Sequence, residues 1–255
     1  MAIRMLRLSA PPLQAKEIAA KESQFPLFLI ATLLPLLALP TADLSGGVLQ
    51  RYALPVAVDL LILQSLRALP DWQARVGRLR INALYRWLGF LGAIDVWIPF
   101  LIGHNVPWLL RAAFVGIRAA FFLMTACRII QVLATCRQVS GRTLCLAAAG
   151  YIHMGLTSGQ LATVLQVVDA DSFRLGTMGS REELVARLSY FAFETIGTLG
   201  YGDVVPASPI GETYVVLTSI ASTLYVSLLI GLLLSRYIDY RTKILLQGAN
   251  KEVQR

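Results

Sequence analysis

Six stretches of this chain are apolar over lengths that a soluble fold does not need: about 25–42, 52–69, 84–103, 107–134, 143–168 and 210–235. A helix crossing the hydrocarbon of a bilayer takes roughly 20 mainly apolar residues, and these runs approach or exceed that length. Composition agrees, with 56% of the 255 residues apolar and 15% charged and a mean hydropathy of +0.63. A soluble domain of this size needs more charge to cover its surface. An all-α integral membrane protein is expected. The first run contains Pro26, Pro35 and Pro40 and should be short, kinked or tilted, which neighbouring helices tolerate. The last, 210–235, is the cleanest span.

The net charge of +8 does not point to a nucleic-acid partner, because the cations do not form one patch. They gather in residues 1–24, 67–86, 128–142 and after 235, and are scarce in gaps such as 103–107. Cytoplasmic loops carry the excess of Lys and Arg, so both termini are expected to be cytoplasmic, as six spans require. Residues 1–24 lack the apolar core and cleavage site of a signal peptide; 13–25 reads as a short amphipathic surface helix. Cys127, Cys136 and Cys145 suit packing, and neither His104 nor His153 has a ligand-like neighbour. With no nucleophile–base or metal constellation, no enzyme is expected.

Residues 169–209 break the pattern. An acidic stretch, DADSFRLGTMGSREEL (169–184), precedes LVARLSYFAFET, a helix too short to span, and then TIGTLGYGD at 195–203. A half-helix followed by extended backbone returning to the same side is a re-entrant loop. Lipid cannot satisfy that backbone, so it must be buried in protein or line a path for water or ions. Glycines reach conformations closed to other residues, so successive carbonyls of TLGYG can turn to one side, with the Thr198 hydroxyl at the inner end. One chain offers too few oxygens to surround an ion, so an oligomer is required.

FETIGTLGYGDVVP (193–206) resembles the pore loop of tetrameric potassium channels of the six-transmembrane, voltage-gated-like kind. Thr195, Thr198, Gly200, Tyr201, Gly202, Asp203 and Pro206 carry the match. The resemblance implies a homotetramer in membrane lipid, with potassium as permeant ligand and no cofactor. The selectivity filter would be Thr198, Leu199, Gly200, Tyr201 and Gly202, with potassium on the carbonyls of Thr198 to Tyr201 and on the Thr198 hydroxyl. Glu194, Thr195 and Asp203 would support it from behind, and the Tyr201 ring would point away from the axis. It also implies that Glu194 and Asp203 share a proton and tune inactivation. Gly197 stands where the family usually has threonine and is read as terminating the pore helix.

The front half looks like a voltage-sensing fold with most of its charge missing. FLGAIDVWIPFL (90–101) is similar to the third span of such a domain. Asp59 and Asp95 are acids inside spans and need partners; Arg111 and Arg118 of the fourth span are the candidates. The fourth-span arginines fall at 111, 118, 128 and 137, without the every-third-residue ladder of the family, and Leu63 stands where an acid usually precedes Arg67. Arg128 and Arg137 read as topology anchors. Each charge moved contributes only ~2.3 kcal/mol per 100 mV, so voltage dependence should be weak or absent. In the last span the family's hinge glycine is replaced by Ser222, and Gly231 matches a deeper small-residue position; both are gating candidates. Thr218, Ser222 and Ser227 would either wet the cavity or pack. Asp169, Asp171, Glu182 and Glu183 would concentrate cations at the mouth.

The expected division is a cytoplasmic segment (1–24), a four-helix sensor-like unit (25–135), a linker (136–142), a pore unit (143–240) and a tail (241–255). Residues 236–255 are too few for a nucleotide-binding domain, so no soluble ligand domain is expected. A prokaryotic plasma membrane suits the composition. Two alternatives stay open: a voltage-gated channel with few gating charges, and a non-conducting scaffold subunit.

Overall fold

A computed structural model describes residues 12–39, 48–71, 78–98, 107–136, 140–176 and 181–253. Pro40, Pro99, His104, Arg4, Arg7, Arg75 and Arg137 lie outside the described residues, as do the side chains of Arg111 and Glu182. The helices are α1 (Pro12–Lys21), α2 (Phe25–Ala38), α3 (Val48–Ala68), α4 (Arg78–Asp95), α5 (Trp108–Thr135), α6 (Gly141–Val168), α7 (Arg181–Ile196) and α8 (Pro209–Val253). Two short strands, β1 (Phe173–Arg174) and β2 (Val205–Pro206), pair antiparallel.

Each apolar run holds a helix within its described residues, yet among the described residues only Ala112–Thr135 and Pro209–Leu232 are long and apolar enough to pass as membrane spans. The reasons are local. Helix α2 has 14 residues, about 21 Å at 1.5 Å per residue, against a hydrocarbon core of about 30 Å. Helix α6 is long enough, but it buries His153, Thr157, Ser158, Gln160 and Thr163, which dilute its hydropathy. Those polar groups are satisfied within the protein: the Thr157 and Thr163 hydroxyls donate to backbone carbonyls one turn earlier.

The helix α1 does not stand apart as a surface helix. Ile18 is buried in the main core, and Lys21 Nζ donates to the Leu69 carbonyl at 2.6 Å, just past the C-terminus of α3, where cations are favoured. Burial lowers the Lys21 pKa below the usual lysine range.

One continuous core runs from α2 through α6, built on Phe25, Phe28, Leu61, Tyr85, Phe121 and Leu146. Helix α5 lies along α6, and α6 lies along α7. The residues joining α5 to α6 are few, which forces the two to be neighbours, and Ser140 Oγ accepts the Thr143 N–H to cap α6. The α6–α7 crossing uses Gly155 and Gly159, a G-x-x-x-G spacing that lets helices approach closely. A Cβ on Gly155 would collide with the Phe193 ring, and one on Gly159 would lie 2.9 Å from Ser189 Cα.

A second, smaller core holds Ala162, Phe173, Leu188, Phe191, Val204 and Tyr214. Phe173 of β1 meets Phe191 and Tyr214 edge-on, with centroids 5.4 and 5.6 Å apart. The strand pair, extended by the Ala207 N–H to the Ser172 carbonyl at 2.9 Å, ties the segment after Asp203 to the segment after α6.

Helix α8 buries one stripe, Gly211, Tyr214, Thr218, Ser222 and Tyr225, recurring at helical spacing. Tyr214 Oη donates to the Ser158 carbonyl and Tyr225 Oη to the Ala147 carbonyl, at 2.8 and 2.9 Å. Thr218 and Ser222 lie on this buried stripe, where they pack in the single chain; Ser222 Oγ donates back to the Ser219 carbonyl. Ser227 and Gly231 fall on the exposed side, and a Cβ on Gly231 would meet nothing within 4 Å. The opposite face presents Val216, Leu217, Ile220, Leu224 and Leu228 uncovered in the single chain.

Candidate ion-conducting loop

Helix α7 ends in a Schellman arrangement. The Leu199 N–H donates to the Glu194 carbonyl at 2.9 Å and the Thr198 N–H to the Thr195 carbonyl at 3.2 Å, the two crossed bonds of that motif. Its left-handed residue is Thr198, with φ +57°, and not Gly197, where the sequence placed the helix terminator. Gly197 is the preceding residue, and a Cβ there would lie 2.9 Å from the Phe193 carbonyl oxygen. Tyr151 Oη of α6 donates to the Ile196 carbonyl at 3.2 Å, so the end of α7 is held from the side as well.

Thr198 is the one non-glycine with positive φ among the described residues. A β-branched residue there is a genuine outlier and costs about 1–2 kcal/mol. Strain of that size persists where its surroundings over-determine it, typically at functional positions. The outlier begins a repeat, since Gly200 and Gly202 follow with φ +58° and +81°. In a regular strand successive peptide planes point alternately. With φ positive at every second residue, they can instead point the same way, which places a run of carbonyl oxygens on one side.

Residues 197–203 are all exposed in the single chain, Leu199 at 58% and Tyr201 at 70%. Val204, next in sequence, is buried. The loop is thus fixed at both ends, by the α7 terminus and by Val204 with the β-ribbon, and bare in the middle.

Behind it, Arg187, Tyr190 and Glu194 share one face of α7 through their three- and four-residue spacing. Tyr190 Oη donates to Glu194 Oε1 at 2.8 Å, and Arg187 Nη2 lies 3.4 Å from Asp203 Oδ2. Each acid therefore has a partner of its own, where the sequence suggested that Glu194 and Asp203 share a proton. Thr195 Oγ1 donates to the Phe191 carbonyl at 2.9 Å, within its own helix. Arg187 and Tyr190 went unnamed in the sequence, although their spacing from Glu194 was readable. Outside the loop, Asp169 Oδ1 accepts the Asp171 N–H at 3.1 Å, a local turn that explains one outer acid without an ion.

In the front half, Arg118 Nη1 meets Asp95 Oδ1 at 2.8 Å, with side chains 8% and 1% exposed. The same guanidinium donates from Nε to Gln160 Oε1 of α6 at 2.9 Å. Among the described side chains the partner of Asp59 is a tryptophan: its Oδ2 accepts Trp97 Nε1–H at 2.6 Å, and Trp97 stacks on Tyr52. Arg128 is not a surface anchor. It is buried, sits 3.8 Å over the Tyr85 ring and donates to Asn82 Oδ1 at 2.5 Å. Asn82 and Tyr85 lie three apart on α4, so amide and ring face the same guanidinium. His153, given no role from sequence, ties α6 to α5 through Nε2 and the Phe122 carbonyl at 3.0 Å.

Residues 179–239 match a family model described as ion channel. The match spans all of α7, the bare loop and the apolar part of α8, a minor part of the 255-residue chain. It supports an ion channel of the potassium-channel-like kind, in a mostly helical chain with, among the described residues, two helices apolar enough to cross a membrane. Nothing matches among curated proteins or solved structures.

Proposed function

We propose that the chain is one subunit of a homotetrameric potassium-selective channel. Helices α2, α3, α4, α5, α6 and α8 would cross the membrane, with both termini cytoplasmic, and α7 with residues 197–203 would form the re-entrant loop. Potassium would pass down its gradient between four copies of the Thr198–Leu199–Gly200–Tyr201 carbonyl run, the Thr198 hydroxyls forming the innermost ring. Oxygens in that number replace the hydration shell of the ion. The observation that carries this reading is the left-handed, β-branched Thr198 followed by positive φ again at Gly200 and Gly202, within the segment that matches an ion channel. The exposed Leu199, Tyr201 and apolar face of α8 are the surface that lipid and three further copies would cover.

Weak or absent voltage dependence accompanies this reading. Arg118 and Arg128, the described arginines well inside α5, are both buried and held by specific partners. Moving either would strand a buried acid or expose a buried guanidinium, at several kcal/mol, against ~2.3 kcal/mol gained per charge per 100 mV. A prokaryotic plasma membrane is the proposed location. The test is potassium flux into liposomes holding the purified protein. Uptake driven by a potassium gradient, and none by an equal sodium gradient, is expected. Tetramers passing neither ion would favour the scaffold alternative.

A further inference from the structure

The end of the loop that follows Gly202 has few anchors. Gly202 has no side chain and lies at φ +81°, so the register of the last carbonyls depends on what holds Asp203 and Val204. Val204 is held by burial. Glu194 is already satisfied by Tyr190. Asp203 is held by Arg187, at 3.4 Å, with side chains 38% and 42% exposed. The pair lines an open groove of about 600 Å³ with Leu36, Leu39, Tyr190 and Phe193.

We infer that Arg187 is a positioning residue that sets the outer end of the carbonyl run by gripping Asp203, in place of a direct Glu194–Asp203 bond. This rests on the conducting reading above and adds to it the residue that keeps the loop open. Arg187 never touches the permeating ion; it acts through the Asp203 carboxylate from a position sixteen residues upstream. Because α7 packs closely on α6 at Gly155 and Gly159, a grip from α7 transmits the position of the scaffold to the loop. A half-exposed ion pair contributes modestly, so its loss should change the loop's opening equilibrium by about two- to fivefold.

The experiment follows potassium current through full-length tetramers in planar bilayers, reading the rate at which current decays during sustained conduction. R187Q is expected to speed decay by about two- to fivefold, and R187K to stay close to the native rate. The R187Q/D203N double variant should decay no faster than D203N alone, because both remove one interaction. Raising external potassium should slow R187Q back toward native, since an ion in the carbonyl run props it open; a general folding defect would not respond. R187M is the second neutral variant if glutamine blocks assembly. Native-like decay in the neutral variants, or additive effects with D203N, would overturn the inference. So would an E194Q variant that reproduces D203N while R187Q does not. Native bilayers that pass no potassium would remove the functional reading and this inference with it, whereas native current with an inert Arg187 removes the inference alone.

Discussion

Asp95 and Arg118 meet at 2.8 Å with almost no solvent between them and the protein interior, and the arginine reaches on to Gln160 of α6. The pair joins the front helices to α6, the helix on which the loop-bearing α7 packs. Asp95→Asn strands the Arg118 charge and should lower stability by about 3–5 kcal/mol. Replacing both, with Asp95→Leu and Arg118→Met, should come within about 1–2 kcal/mol of native, because a well-packed apolar pair avoids the desolvation cost. Thermal unfolding of the three proteins in one detergent checks this; equal loss in single and double variants would contradict it.

Arg128 over the Tyr85 ring makes a second prediction. If α5 does not move, Arg128→Gln changes stability and leaves the steepness of the conductance–voltage curve unchanged. A mobile α5 would instead lose one charge's share, ~2.3 kcal/mol per 100 mV. The comparison is between slopes of the native and variant curves.

Much of this arrangement was legible in the sequence. The apolar runs placed the helices, and the glycine spacing of 200 and 202 placed the loop, because both follow from local chain properties. The partners of charged groups were not legible. Asp59 accepts from Trp97, and Arg128 left the surface for Tyr85 and Asn82, since such pairings depend on how helices rotate about their axes. Helix α7 ends just before Gly197, but the left-handed residue is the next one, Thr198. Propensity favours Gly197 as the left-handed position, and the observed Thr198 pays strain that only the surrounding loop can impose. The count of membrane-crossing helices stayed ambiguous because α6 buries polar residues that hydropathy scores as if they met lipid.

Close approach at the α6–α7 crossing predicts opposite signs for two glycine substitutions. Gly155→Ala must displace the Phe193 ring and should cost about 1–3 kcal/mol through overpacking. Gly116→Ala in α5 meets nothing within 4 Å and should stabilise by about 0.5–1 kcal/mol. Unfolding midpoints of the two variants, measured side by side, should fall on either side of native.

Strain at Thr198 predicts a trade between stability and ion binding. Thr198→Gly removes the left-handed penalty and should raise stability in potassium-free buffer by about 0.5–1 kcal/mol. It also removes a hydroxyl from each subunit and should weaken potassium binding by about tenfold, the scale of one hydrogen bond to a charged group. Calorimetric titration with potassium chloride reads the second effect, and melting without potassium reads the first.

The central claim is a potassium-selective path through the Thr198–Tyr201 carbonyls, and reversal potential tests it most directly. Purified tetramers in a planar bilayer would face potassium on one side and sodium on the other, with voltage stepped in both directions. Current reversing near the potassium equilibrium potential is the predicted result. Reversal near zero, with sodium carried as readily as potassium, would contradict it.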